Sequence, residues 1–277
     1  MVRLSNGVKR GGIHRMRIWW QSSTSIHTQE LTDYREALTK HLNSVKREDT
    51  EISVNGVEKG SLDLHFNSTV ALNSFAPGGV LDKLIQADRE GYDGAAIGCF
   101  LDPALQEARE LTDIPIFGLA ETSIHVACML GNRFSGIAFC DKQAQYYDAL
   151  VRKYGLESRS VPFASLGMDL EQVQKGFSDP TEIMDLFKKS ISKLSESGAE
   201  IVLPACGCVN TIVVREKITE MGGMLVLDIN ALLLKITEAM ADFYKLTGVN
   251  RSRKLLYQKP TSENIRKILQ IYHFRLK

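Results

Sequence analysis

The sequence predicts an α/β protein built from two pseudo-symmetric three-layer α/β/α domains. Their sheets are mainly parallel. Three observations carry this expectation. Short continuous apolar runs alternate with segments of helical spacing, the pattern of parallel strands covered on both faces. The alternation comes in two series, one ending near Gly131-Asn132 and the other starting at "RFSGIAFC". Two distant segments, "GYDGAAIGCFLDPALQEARE" and "SGAEIVLPACGCVNTIVVRE", repeat one plan: a Gly and an acid, an apolar run ending in Cys, and a closing Arg-Glu. Ten residues separate Cys99 from Arg109, and nine separate Cys206 from Arg215.

In the first series "MRIWWQSS" reads as a strand with Trp19 and Trp20 on opposite faces, "TDYREALTKHLNSV" as a helix and "EISVNGV" as a strand. The Gly/Pro-rich "NSFAPGGVLDK" turns the chain into the helix "GGVLDKLIQADREG", and the buried strand "YDGAAIGC" follows. "DPALQEARELT" is expected to be a helix with Asp102 as N-cap and Pro103 at its first position. "IPIFGLA" is the next strand and "ETSIHVACMLG" the next helix, with Thr122 and Ser123 placed to cap it or to meet an anionic or carbonyl oxygen. The second series runs through helix "KQAQYYDALVRKYG", strand "SRSVPFASL", a long helical region ending "MDLFKKSISKLSESG", strand "EIVLPAC", helix "NTIVVREKITEMG" and strand "MLVLDI". A last long helix from Asn230 is expected to cross back. The first domain would then comprise residues 15–131 plus 229–277, and the second 132–228.

The 277 residues, 44% hydrophobic and 24% charged, suit one large or two moderate globular domains. A formal net charge of +1 argues against a nucleic-acid partner. No apolar run approaches the roughly 18–20 residues that span a bilayer. The leader "MVRLSNGVKRGGIHR" is basic but lacks the apolar stretch and cleavage site of a secretory signal. The basic tail has the Leu/Ile spacing of an amphipathic helix, expected to pack on the body or on a partner subunit. The expected partners are a small-molecule substrate and further copies of the chain in a homo-oligomer.

Five cysteines (Cys99, Cys128, Cys140, Cys206 and Cys208), odd in number and widely spaced, point to free thiols in a reducing, cytoplasmic setting. Cys128, between Ala and Met in a helical stretch, reads as core, and Cys140 after "GIAF" as packing. Cys206-Gly207-Cys208 has no second Cys/His cluster to make it a metal site. Cys99 and Cys206 stand out because each ends a buried strand and precedes a helix N-terminus. That is the edge where open α/β sheets bind ligands, and it favours a thiolate. Two such cysteines on facing domains suit removal of a proton from one face of a carbon and delivery of a proton to the other. One must be thiolate and the other thiol, which makes activity bell-shaped in pH. His125, one turn inside its helix, reads as a packed residue.

These segments resemble the aspartate/glutamate/hydantoin racemase superfamily, and most of all its hydantoin racemase branch. "AAIGCFLDPALQEARE" is similar to that branch's first cysteine motif, in which Cys-Phe is soon followed by Asp-Pro. "IPIFGLAETSIHVACMLGNRFSGIAF" resembles its Pro-x-x-Gly-x-x-Glu segment and the strand after it. "GAEIVLPACGCVN" resembles the second motif, whose usual form is Gly-Cys-Ala-Gly-Met, and "RIWWQSSTS" stands where the family has a strand followed by Asn-Pro-Asn-Thr. The likeness covers roughly Arg15 to Gly248. It implies a cofactor-independent racemase with its active site in the cleft between the two domains, in which Cys99 and Cys206 exchange protons with a carbon alpha to a carbonyl, in a 5-substituted hydantoin or related cyclic ureide. It also implies that the N–H groups of Phe100, Gly207 and Cys208 stabilise the enolate oxygen, and that Gln21 and Thr24 face the ligand. Gln for Asn, Ser22 for Pro and Ala-Cys-Gly-Cys-Val for Gly-Cys-Ala-Gly-Met are departures around the pocket. Alternatives are an acidic amino-acid racemase, a maleate-type cis–trans isomerase, or a non-catalytic protein that binds small molecules on the same fold.

Overall fold

The structure is a computed structural model that describes residues 15–58 and 78–271. Residues 1–14 of the basic leader, residues 73–77 of the Gly/Pro-rich stretch and the end of the tail lie outside the described residues. Strands β1 (Met16–Gln21), β2 (Thr50–Asn55), β3 (Gly94–Ile97) and β4 (Ile116–Gly118) form one parallel sheet in the order β2-β1-β3-β4. Strands β5 (Phe134–Ala138), β6 (Ala164–Ser165), β7 (Ile201–Pro204), β8 (Glu220–Met221) and β9 (Met224–Val226) form the second, ordered β6-β5-β7-β9-β8. Without its antiparallel edge strand β8, the second sheet repeats the order of the first: β5 stands for β1, β6 for β2, β7 for β3 and β9 for β4. The pseudo-symmetric α/β/α architecture expected from the repeated cysteine segments is present.

The helices lie where the apolar spacing puts them. Helix α1 (Thr32–Val45) buries Tyr34, Leu38 and Leu42, one side chain per turn of a single face. Helices α2 (Val80–Arg89), α3 (Leu105–Leu111) and α4 (Leu119–Leu130) complete the first series. The second contains α5 (Asp141–Lys153), α6 (Leu170–Lys175), α7 (Thr181–Glu196) and α8 (Gly207–Arg215). Helix α9 (Ile229–Thr247) returns to the first sheet, against β1, β3 and β4. Its approach to β3 needs a small partner: a Cβ on Gly94 would lie 3.2 Å from Thr237 and 3.5 Å from Ala241. The amphipathic tail forms α10 (Ser262–Ile271).

Four sequence expectations need correction. Asp102 does not cap α3. It and Ala104 take left-handed backbone conformations (φ 46° and 58°), and the helix starts only at Leu105. The Asp102 carboxylate instead accepts the N–H groups of Ala120 (2.9 Å) and Glu121 (2.7 Å), so it caps α4 from outside. Thr122 and Ser123 therefore lie inside the first turn of α4, and Gly118 is its N-cap. The helix predicted over 210–222 ends at Arg215, because Lys217 turns left-handed and Gly222-Gly223, both at positive φ, make the tight β8–β9 hairpin. The long helical region before "ESG" is two helices, α6 and α7, parted at Gly176–Pro180.

Candidate active site

In an open parallel sheet, the chain leaves in opposite directions from the two strands where the order reverses. The crevice beyond their C-terminal ends is the usual ligand site. Here those strands are β1 and β3 in the first sheet, and β5 and β7 in the second. The loop after β1 carries Ser22, Ser23 and Thr24, and the loop after β3 carries Cys99 and Phe100. Cys140 follows β5 and is the N-cap of α5, while Cys206 follows β7 and is the N-cap of α8.

The two crevices face one another. A Cβ on Gly207 would lie 3.3 Å from the Gly98 carbonyl oxygen, so the N-terminus of α8 abuts the loop of Cys99. Cys99 and Cys206 sense each other electrostatically, and both are buried free thiols. Gly98 owes its lack of a side chain to the Trp20 indole, which lies where a Cβ would go. The lobes are fastened by aromatic side chains. The Phe100 ring packs edge-on against Tyr147 of α5 at 4.8 Å and near Phe163 at 6.1 Å. Tyr34 of α1 meets Phe177 at 5.9 Å, and the Tyr154 hydroxyl donates to Asp102 at 2.9 Å.

The two sulfurs have unequal surroundings. Burial pushes the Cys99 thiol up to about 12, although the Ser23 hydroxyl and the Leu101 N–H both favour its thiolate. Cys206 is held below the ordinary thiol value, first by a hydrogen bond from the Cys208 thiol and also by the N–H groups of Val209 and Cys208, with burial opposing. Cys208 is correspondingly raised, first by that shared hydrogen bond and then by burial. Gln174 Nε2 donates to the Cys208 sulfur at 3.6 Å. The pair thus favours a thiolate on Cys206 and a thiol on Cys99.

The other expected residues divide. Gln21 is fully buried and spends both polar ends inside the protein: Oε1 accepts from Trp19 Nε1 at 2.8 Å, and Nε2 donates to the Ser22 carbonyl at 2.7 Å. Thr24 shares a 3.0 Å hydrogen bond with the Ser22 hydroxyl, which shapes the loop beside Ser23. Thr122 has a buried hydroxyl without a partner among the described residues, as has its neighbour Ser123. The N–H groups of Phe100 and Gly207 carry no hydrogen bond among the described residues. His125 bonds the Glu121 carbonyl through Nδ1 and packs on Tyr154, outside the cysteine site. The arginines that close the two repeated segments serve structure: Arg109 pairs with Glu121, and Arg215 donates to the Phe177 carbonyl at 2.9 Å. Among the described residues, no three His, Cys, Asp or Glu side chains gather as a metal site.

Sequence reasoning missed Tyr34. A Cβ on Gly207 would lie 2.9 Å from its hydroxyl oxygen, and burial raises its pKa well above the ordinary phenol value, with the charges of Cys208, Cys206 and Cys99 adding to the effect. It is a neutral hydroxyl within electrostatic reach of all three thiols. Only its position one turn before Leu38 was visible, and that marks a core residue. Ser23 was hidden among four consecutive hydroxyl residues, Ser22 to Ser25.

The family model for Asp/Glu/hydantoin racemases matches residues 62–237. A hydantoin racemase of Pseudomonas sp. (strain NS671) is 26% identical over 214 residues, 76% of this chain and 82% of that protein. One from Paenarthrobacter aurescens is 27% identical over 188 residues, 66% of this chain and 75% of that protein. The solved allantoin racemase of Klebsiella pneumoniae superposes with a TM-score of 0.73 at 23% identity, covering 89% of this chain and 94% of the other. The two-sheet α/β fold is shared with that solved structure. The chain belongs to the Asp/Glu/hydantoin racemase family, and the isomerase class expected from its cysteines is the class of that family.

Proposed function

We propose that the protein racemises a 5-substituted hydantoin or a related cyclic ureide such as allantoin, by cofactor-independent proton transfer between Cys99 and Cys206. The observation that supports this reading is a pair of buried thiols of unequal acidity, one after a switch-point strand of each sheet, with the N-terminus of α8 abutting the loop of Cys99. In one direction the Cys206 thiolate removes the proton on the carbon alpha to the carbonyl, and the electron pair moves into the enolate oxygen. The Cys99 thiol then protonates the opposite face, leaving Cys99 as thiolate and Cys206 as thiol. The opposite enantiomer enters that second form and restores the first, as does proton exchange with water.

The Phe100 and Gly207 N–H groups, the Tyr34 hydroxyl and the unpaired Thr122 hydroxyl are the donors for the ligand and its enolate oxygen. Thr24 holds the loop that aims Ser23 at Cys99, and Gln21 supports that loop rather than touching the ligand. Every one of these donors is neutral, and Arg109 and Arg215 are engaged elsewhere. Neutral donors suit an uncharged ureide ring better than a dicarboxylate, whose two charges call for cationic partners.

The test is a panel of enantiopure 5-benzylhydantoin, allantoin, aspartate and glutamate, with maleate, followed by chiral chromatography. Racemisation of a ureide alone is the expected result. Turnover confined to an amino acid or to maleate would overturn the substrate assignment, and tight binding without turnover of any compound would overturn the enzymatic reading.

A further inference from the structure

Asp102 holds the Cys99 loop in a conformation that local preferences oppose. Its N–H closes a turn on the Cys99 carbonyl at 3.0 Å, and Asp102 and Ala104 both sit at positive φ, 46° and 58°. Left-handed backbone at residues with a side chain persists where the surroundings over-determine it. Here three donors meet one buried carboxylate: the Ala120 N–H at 2.9 Å, the Glu121 N–H at 2.7 Å and the Tyr154 hydroxyl at 2.9 Å. Gly118 makes room for that carboxylate, since a Cβ there would lie 2.4 Å from Asp102 Oδ1.

The third donor comes from the other lobe. Tyr154 is the C-cap of α5, the helix whose Tyr147 packs edge-on against Phe100 at 4.8 Å. Phe100 and Asp102 of the Cys99 loop therefore meet one helix at points about two turns apart. A single ring contact leaves the loop free to pivot about it, and the second contact removes that freedom. Helix α5 follows β5, which pairs with β7, and β7 ends at Pro204 just before Cys206. Fixing the Cys99 loop on α5 thus fixes Cys99 relative to Cys206. His125 packs on the Tyr154 ring at 5.6 Å and bonds the Glu121 carbonyl at 2.7 Å, so α4 steadies both partners. We propose that Asp102 and Tyr154 are positioning residues: their hydrogen bond between the lobes sets Cys99 in register with Cys206, so that a proton removed from one face of the substrate carbon is replaced on the other. This inference rests on the two-cysteine reading and adds what holds the two sulfurs in place.

The test separates proton exchange from inversion. With 5-benzylhydantoin in D2O and Cys99 out of register, Cys206 still removes the proton. Once its thiol has exchanged with solvent, it returns deuterium to the same face, and label enters without inversion. Tyr154→Phe, which removes only the hydroxyl, should slow inversion about tenfold while deuterium uptake falls less than about twofold, since small misplacements of a reacting group are costly. Asp102→Asn, which keeps an acceptor oxygen, should lose less inversion than Asp102→Ala. If Asp102→Ala fails to fold by circular dichroism, Tyr154→Phe carries the test. A purely structural role would lower both rates together, and an unchanged ratio of exchange to inversion in Tyr154→Phe would overturn the proposal. A second readout needs no substrate: iodoacetamide labelling of Cys99 against Cys128, read by mass spectrometry of their peptides. Tyr154→Phe should speed Cys99 labelling about fivefold, the weight of one lost hydrogen bond on local opening. Unchanged labelling would equally overturn the proposal. Faster Cys99 labelling in a protein whose wild type exchanges no ureide would refute the proposed function and leave the contact between the lobes standing.

Discussion

At the scale of single residues, the second cysteine motif is best understood through what its neighbours allow. The family form has Ala after the cysteine, and this chain has Gly207. The space a methyl would take is used by the Tyr34 hydroxyl, 2.9 Å from where the Cβ would stand. Gly207→Ala should displace Tyr34 and cost about 1–3 kcal/mol of overpacking. Tyr34→Phe in the same background should recover part of that loss, a coupling that a double-mutant cycle in urea unfolding would measure. The unequal sulfurs set the pH profile. Activity should rise as pH passes the lowered value of Cys206 and hold through the mildly alkaline range. It should fall only as Cys99 ionises near 12, so kcat/KM plotted against pH should show a broad bell with its rising limb below the ordinary thiol range. Cys99 and Cys206 were legible because a repeated context picked them out from five. Tyr34 was not, since the spacing of Tyr34, Leu38 and Leu42 is the same for a core tyrosine as for one at a site.

At the scale of elements, the loop between β3 and α3 shows where local rules were overtaken by tertiary ones. "CFLDPALQEARE" has the local form of an N-cap followed by Pro, yet Asp102 reaches across to the N-terminus of α4. Nothing in the spacing of Asp102 and Ala120 announces that contact, which exists only once β3 and β4 lie side by side. Asp102 also binds the Tyr154 hydroxyl, and burial raises its carboxyl to about 7 against the opposition of these donors. Asp102→Ala should destabilise the fold by about 1–3 kcal/mol, the cost of leaving buried donors unpaired. The sign of the pH dependence follows from linkage. The folded state keeps the Asp102 proton longer than the unfolded chain does, so this residue's contribution is greatest below the ordinary carboxylate range and declines as pH rises towards 7. The stability gap between wild type and Asp102→Ala, measured by urea unfolding, should therefore narrow from acid to neutral pH. Elements with a strong apolar period, such as α1 and β1, were read correctly. The stretch after Arg215 was not, because one left-handed Lys and a Gly-Gly hairpin replaced the last turns of a helix whose composition looked continuous.

For the whole molecule, the repeat has a physical consequence. Two sheets of the same strand order present their switch points to each other, and the aromatic contacts of Phe100 and Tyr34 bind the lobes beside the cysteines. In the proposed mechanism, this arrangement is what sets one sulfur on each face of a planar carbanion. That geometry is required for inversion at carbon, and a single base cannot supply it without turning the intermediate over. The doubling of the fold was visible in the two cysteine segments. The facing of the two halves and the return of the last helix were expected too; the contact that fastens them, Phe100 entering the Tyr147–Phe163 cluster, was not, since no spacing in the sequence announces it. The most direct test of the two-sided mechanism is the exchange and inversion of enantiopure 5-benzylhydantoin in D2O, followed together by NMR and polarimetry. Wild type should take up deuterium at C5 as optical rotation is lost, with both rates well above the uncatalysed background, and Cys99→Ser and Cys206→Ser should each lose inversion. Full racemisation by either single variant would contradict the account.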